Sequence, residues 1–258
     1  MSLTSPPEAA NRRLLDPSEL GTKEYWEAAY ARELGNYEED ADDEGTVWFS
    51  ESNAEEAVLE QLNKLAETGL LRRDDDNEAR QTSRFLDLGT GNGHLLFALR
   101  EEDDEGRCWT GDMVGVDYSE TSVRLARRIA VEKDVEGVQF ETWDLLNHNP
   151  DRAWLQGGFD VVLDKGTFDA ISLMPFAEGS QNPCKVYREK VEPLIKPRCF
   201  LCITSCNWTK DELLEWLAPN HGCLRYHSEA KYPTFTFGGR TGQSIVTLSL
   251  QRVADTIE

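Results

Sequence analysis

Arg84-Phe85-Leu86-Asp87-Leu88-Gly89-Thr90-Gly91-Asn92-Gly93-His94 sets a short apolar run directly against three glycines at alternate positions. Leu95, Leu96, Ala98 and Leu99 then begin a helical pattern. That order reads as a buried strand, a tight turn and a helix opening. A helix N-terminus presents unpaired backbone N–H groups, and glycines let a ligand approach them closely. The turn is therefore expected to hold a ligand.

Asp87 narrows the choice of ligand. A dinucleotide fingerprint wants Gly-x-Gly-x-x-Gly, with the third glycine closing the helix onto the strand. Gly89 and Gly91 fit, but the third position is His94. The next acid at a strand end, Asp117, comes 30 residues after Asp87. An NAD site places it about 20 residues past the glycines. A carboxylate beside the turn repels a pyrophosphate and attracts an ammonium. S-adenosylmethionine carries an ammonium, a sulfonium and no phosphate. Asp-x-Gly-x-Gly-x-Gly after a strand resembles the first motif of the seven-strand methyltransferases. Other nucleotides and a purely structural glycine turn are the competing readings.

Downstream, strands and helices alternate. Strands are expected at 84–88, 112–117, 137–142, 159–164 and 198–205, and helices at 92–101, 119–133, 167–173 and 184–195. Repeated strand–helix units imply a parallel sheet with right-handed crossovers. A helix near 209–218 follows. Strands at 223–230 and 244–252, separated by a glycine-containing stretch at 237–242, predict a closing antiparallel hairpin. The expected fold class is α/β: a seven-stranded Rossmann-like sheet, mostly parallel, with an antiparallel C-terminal hairpin.

Upstream, residues 1–21 hold Pro6, Pro7 and Pro17 with little periodicity, and read as a flexible tail. Residues 22–80 read as a helical extension of one domain spanning 22–258. There Tyr25, Trp26, Ala29, Tyr30 and Leu34 share a helix face. The loop from Glu38 to Glu44 is acidic, and Val47-Trp48-Phe49 is apolar enough to dock on the core or cover the ligand. Ser52-Asn53-Ala54-Glu55 has the capping-box pattern ahead of a helix carrying Val58, Leu59, Leu62 and Leu65.

Ligands of doubly wound sheets bind at the carboxyl ends of the strands. The expected cofactor residues at those ends are Asp87, Gly89, Thr90, Gly91 and Asn92, then Asp117 and Tyr118, then Asp144 and Leu145, then Asp164, with Trp48 from upstream. Asp117 suits the two ribose hydroxyls. Asp144 suits an adenine amino group, with Trp143 or Leu145 against the ring. Each acid has a plainer alternative. Asp144 and Asp164 can cap helices after strands, and Asp169 can be a first-turn acid favoured by the helix dipole.

Six segments extend the resemblance. They are Gly21 to Trp26, Val47-Trp48-Phe49, Asp87 to Gly93, Asp164-Lys165-Gly166-Thr167-Phe168-Asp169-Ala170-Ile171-Ser172-Leu173, Ile203-Thr204-Ser205-Cys206-Asn207-Trp208-Thr209-Lys210, and Phe235 to Gly242. In that order, over roughly residues 21–252, the chain resembles the lysine methyltransferases of translation elongation factor 1-alpha. Its departures are a long acidic insert at 101–111 and a longer run near 176–184. The resemblance implies S-adenosylmethionine as cofactor and Asp87, Gly89, Gly91, Asp117 and Asp144 as cofactor residues. It also implies elongation factor 1-alpha as protein substrate and the cytoplasm as location, with the nucleus as the alternative. A methyltransferase of the same fold acting on another protein or a small molecule is the rival reading.

Bulk properties agree with an enzyme of this kind. The 258 residues suffice for one large domain. No apolar run approaches the roughly 18–20 residues of a membrane helix, and Met1 to Leu20 lacks an apolar signal-peptide core. An intracellular monomer that uses no membrane is expected. Net charge is −21, and residues 1–80 hold 21 acidic against 8 basic side chains. Nucleic-acid binding wants a basic face, so no nucleic-acid partner is expected. Cys199-x-x-Cys202 lies in a run that reads as a strand, with no second pair, so reduced thiols and no metal are expected.

Methyl transfer to lysine is a direct displacement, and the enzyme's main work is alignment. The attacking amine must be neutral, yet the reference pKa of lysine is about 10.4. A dry aromatic channel disfavours the charged form. Asp164, Phe168, Asn207 and Trp208 are the expected catalytic group. Asp164 would orient the amine, and Phe168, Trp208, Trp48 and Phe49 would wall the channel.

Overall fold

The computed structural model describes residues 14–73, 82–177, 179–233, 235–237 and 240–254. Its strands are β1 Phe85–Leu88, β2 Met113–Asp117, β3 Val138–Thr142, β4 Phe159–Lys165, β5 Ile195–Ser205, β6 Leu224–Glu229, β7 Phe235–Phe237, β8 Arg240–Gly242 and β9 Val246–Arg252. Seven of them form one sheet in the order β3-β2-β1-β4-β5-β9-β6. The first five are mutually parallel, and β9 runs antiparallel to both β5 and β6. The expected fold class is the observed one. Two details differ from the sequence reading. The last strand inserts between β5 and β6, and the stretch at 237–242 contributes to a separate ribbon, β7–β8, instead of a simple connection.

The helices are α1 Lys23–Glu39, α2 Ala54–Glu67, α3 His94–Arg100, α4 Glu120–Glu132, α5 Arg152–Leu155, α6 Thr167–Ser172, α7 Pro183–Val191 and α8 Lys210–Leu217. Successive strand residues point to opposite faces, and β1 shows the result. Leu86 and Leu88 join one core with Trp143, Phe168, Tyr187, Trp208 and Trp216. Phe85 joins the other core with Leu34, Leu62, Leu96 and Leu125. Both faces of the sheet are thus covered, which explains why its central strands read as unbroken apolar runs. Cys202 belongs to the second core, and burial pushes its thiol up to about 12.

Residues 14–21 are not a loose tail. The Ser18 amide donates to the Leu173 carbonyl at 3.1 Å, and Trp26 Nε1 donates to the Leu20 carbonyl at 2.7 Å. A Cβ on Gly21 would run into the Leu173 backbone, so this turn is pressed onto the end of α6. Residues 1–13 lie outside the described residues. The capping box expected at Ser52 is also absent. Asn53 adopts a left-handed φ of 50° without a side-chain cap, and Glu55 pairs with His94 at 2.9 Å instead. A capping box does form where Thr209 and Glu212 open α8.

Candidate active site

The chain leaves β1 in one direction along the sheet and returns to add β4 on the other side, so a crevice opens where the strand order reverses. Thr167 stitches the two strand ends together: its hydroxyl donates to the Leu88 carbonyl at 2.6 Å. Gly89 has a φ of 62°, and a Cβ there would collide with Thr167 Oγ1. Only glycine fits both demands. The Gly91 amide donates to Asp117 Oδ2 at 3.2 Å, and the Ser119 amide donates to Oδ1 at 2.9 Å. The glycine turn and the acid at the end of β2 therefore hold each other.

A cavity of about 320 Å³ occupies this crevice. The strand order places Gly89, Asp117, Tyr118, Trp143, Asp144 and Leu145 on its β1–β2–β3 side. Lys165, Thr167, Asp169, Met174, Cys206 and Asn207 stand on its β4–β5 side. Trp26, Tyr30, Trp48 and Phe49 come from the N-terminal extension and complete the wall.

The strap carrying Trp48 is pinned from several elements. Lys165 Nζ donates to the Trp48 carbonyl at 2.8 Å, and the Trp26 and Trp48 ring centroids are 5.1 Å apart. Asn92 Nδ2 donates to the Glu44 carbonyl at 2.9 Å, and the Thr46 amide donates to Glu33 Oε1 at 3.1 Å.

Of the expected site residues, Trp48, Gly89, Asp117, Tyr118, Asp144, Leu145 and Asn207 line the cavity. Asp87, Thr90, Gly91 and Asn92 are buried in and below the turn that shapes it. Asp164, Phe168 and Trp208 lie behind the wall. Asp164 is 1% exposed and accepts from the Thr167 and Phe168 amides and from the Tyr187 hydroxyl. Phe168 is fully buried, its ring centroid 4.9 Å from that of Tyr187 and 6.2 Å from that of Trp208. Asp164 thus takes the capping position, and the acid that reaches the cavity on this side is Asp169. Asp144 lines the cavity but also folds back, accepting from the Leu146 and Asn147 amides at 3.1 Å each.

The sequence reading missed the ligand-facing places of Lys23, Trp26, Tyr30, Lys165 and Asp169. An excess of aromatic rings on one helix face was the available signal for Trp26 and Tyr30. Lys165 and Asp169 flank Phe168 in the stretch already singled out, but only the turn of α6 shows which of these residues face inward.

The charges suit a cationic ligand. Burial pushes Asp87 up to about 7 and Asp117 up to about 6. Both are carboxyls held out of water, where a nearby positive charge restores the ionised form. Burial lowers Lys165, which weakens the competing cation. An apolar wall for a flat base, an acid at the end of β2 and acids around the glycine turn fit S-adenosylmethionine. A pyrophosphate would find carboxylates in its place.

Comparisons with known proteins point the same way. Residues 79–245 match the methyltransferase domain family. The chain is 40% identical to the protein-lysine N-methyltransferase efm4 of Schizosaccharomyces pombe over 92% of its own length and 95% of that protein. It is 34% identical to the human EEF1A lysine methyltransferase 2, over 92% of its length and 88% of the human chain. Among solved structures, the N-methyltransferase NodS from Bradyrhizobium japonicum superposes with a TM-score of 0.52 at 10% identity, covering 88% of this chain and 98% of that one. That last likeness concerns the fold alone.

Proposed function

The chain belongs to the methyltransferase family that includes the efm4 protein-lysine methyltransferases and EEF1A lysine methyltransferase 2, and from that premise we propose that it transfers the methyl group of S-adenosylmethionine to a lysine of elongation factor 1-alpha. One observation carries the proposal: a single cavity joins an acid-flanked glycine turn on one side to a second, aromatic-walled side ending at Asp169 and Asn207.

The residues divide the work. When bound, S-adenosylmethionine supplies an electrophilic methyl on its sulfonium. Asp117 accepts the ribose hydroxyls, and Leu145 and Trp143 flank the adenine. Asp87, under the turn, offsets positive charge. Trp26, Trp48 and Phe49 exclude water, which disfavours a charged acceptor amine, and such rings also hold a methylated ammonium. Asp164, expected to orient the amine, instead acts from behind the wall. By holding the Thr167 and Phe168 amides it fixes the turn on which Thr167 meets Leu88. Phe168 and Trp208 support that turn from the core, and Asn207 stands at the substrate side.

The enzyme is proposed to work as a monomer in the cytoplasm, without nucleic acid. Among the described residues no helix is long and apolar enough to cross a membrane. The test is methylation of purified elongation factor 1-alpha with labelled S-adenosylmethionine, followed by mass-spectrometric mapping. Label on a lysine supports the assignment. Label on arginine, on the N-terminal amine, only on another protein or only on a small molecule overturns it.

A further inference from the structure

We propose that Asp169 receives the acceptor lysine: its carboxylate binds the incoming ε-ammonium and takes the proton that the amine must lose. This rests on the lysine-methyltransferase reading above and names the residue that serves the acceptor.

Three observations carry it. First, the acids that line the cavity are Asp117, Asp144 and Asp169, and they are not equivalent. Asp117 stands at the end of β2 and is tied to the glycine turn, and Asp144 caps its own loop after β3. Asp169 alone of the three lies on the β4–β5 side, beside Cys206 and Asn207. Second, its carboxylate is aimed. Oδ1 accepts from the Ser205 hydroxyl, and Oδ2 accepts from the Cys206 amide at 2.8 Å. The Cys206 thiol and the Asn207 amide also favour its ionised form, and the thiol, a weak donor, is the partner an incoming ammonium would displace. Third, the side chain is 5% exposed and burial raises its proton affinity above that of an ordinary carboxyl. In so dry a site a neutral acid beside a neutral amine is favoured over the separated ions.

The proton balance is simple. The ε-ammonium gives one proton to Asp169, leaving a neutral amine and a carboxylic acid. The amine lone pair then forms the new nitrogen–carbon bond while the sulfur–carbon bond breaks, its electron pair staying on sulfur. The product is a methylated ammonium, and Asp169 returns its proton to solvent.

Other titratable groups face this carboxylate. Cys206, from the end of β5, has its thiol pushed up to about 12 by burial and by Asp169. On the core side the charge of Asp169 raises Asp164 and Tyr187 in turn. Ser205 donates to it and carries no charge at any working pH.

The experiment compares the wild type with Asp169→Asn, an isosteric change that keeps an acceptor oxygen for Ser205 or Cys206. Three quantities are measured on the full chain: S-adenosylhomocysteine affinity, kcat for lysine methylation, and the pH dependence of kcat. We expect affinity within about twofold of wild type and kcat lower by about 10²–10⁴-fold, the range of a lost general base. We also expect residual activity that climbs with pH through 10, following the free amine. Full kcat in the variant overturns the proposal. So does a loss of kcat that keeps the wild-type pH profile, or one matched by an equal loss of S-adenosylhomocysteine affinity, since each marks a structural role only. Asp169→Glu, with its carboxylate restored, is expected to recover part of kcat and the wild-type profile. Should Asp169→Asn not fold, absence of that recovery in a folded Asp169→Glu overturns the proposal. A wild-type enzyme that methylates no lysine fails the underlying reading and Asp169 with it, whereas an active Asp169→Asn fails Asp169 alone.

Discussion

Tyr187 donates a hydrogen bond of 2.6 Å to Asp164, and neither side chain reaches solvent. One bond thus joins α7 to the end of β4, at the acid that also opens α6. Burial pushes Asp164 up to about 7, and the phenol works against that rise by favouring the ionised form. Tyr187→Phe is expected to lower the unfolding free energy by about 1–3 kcal/mol, the worth of one buried hydrogen bond to a carboxylate. S-adenosylhomocysteine affinity should change little. Urea unfolding beside a ligand titration checks both; a variant as stable as wild type would remove this bond from the account.

Gly89→Ala tests the stitch between β1 and β4. The new methyl group meets Thr167 Oγ1 while the backbone holds a φ of 62°. Left-handed strain of about 1–3 kcal/mol, where the turn shifts to relieve it and must be restored on binding, corresponds to roughly 5- to 150-fold in binding. Cofactor affinity should fall by that factor, read by calorimetric titration. Unchanged affinity would mean that the turn does not contact the ligand.

The pH dependence has a definite sign. Asp87 and Asp117 have folded-state values of about 7 and about 6, both above the ordinary value of 3.8, with burial the main cause. The native state therefore holds more protons than the unfolded chain between pH 4 and 7. The contribution of these two groups to stability is fully present below about pH 4 and is lost as pH rises through 6 and 7. A cationic ligand opposes that loss. S-adenosylmethionine should bind about tenfold or more tightly at pH 8 than at pH 5.5. An affinity flat across this range would show that neither carboxyl senses the ligand.

Truncation separates the N-terminal segments. A chain starting at residue 14 should keep its cofactor affinity. A chain starting at residue 22 loses Leu20 and Gly21 from the cavity wall and the Ser18–Leu173 hydrogen bond. It should melt several degrees lower, since 1 kcal/mol shifts a domain of this size by about 2–4 °C, and should bind cofactor more weakly. Equal behaviour of the two chains would show that residues 14–21 carry no weight in the site.

Local chemistry made the centre of the fold legible. Phe85 to His94 states a strand, a turn and a helix within ten residues, and each acid after a strand could be placed by counting from there. What the sequence hid depends on pairing at a distance. Nothing in Val246–Arg252 says that this strand inserts beside β5, because β-alternation is the same in any neighbour's company. Glu55 looked like a cap three residues past Ser52, but His94, 39 positions away, is its partner. Asp164 and Asp169 are both acids near one helix start. Only the turn of α6 decides that the first faces Tyr187 and the second faces the cavity.

The strap over the cavity is held and strained at once, and that bears on how it can move. Three hydrogen bonds hold it, at the Glu44 carbonyl, the Thr46 amide and the Trp48 carbonyl, each worth about 1 kcal/mol net, together with the Trp26–Trp48 ring contact and a Lys133–Glu44 ion pair of 2.7 Å. Against them stand Phe49 and Asn53, non-glycine residues at φ 65° and 50°, each costing about 1–3 kcal/mol. Strain at these two residues offsets part of that hold, and opening is expected on the microsecond-to-millisecond scale of loop gating. If spent cofactor escapes through such an opening, the chemical step is expected to govern the cycle. Rapid-quench sampling of the first turnover should show methylated product accumulating linearly from the start, with no burst.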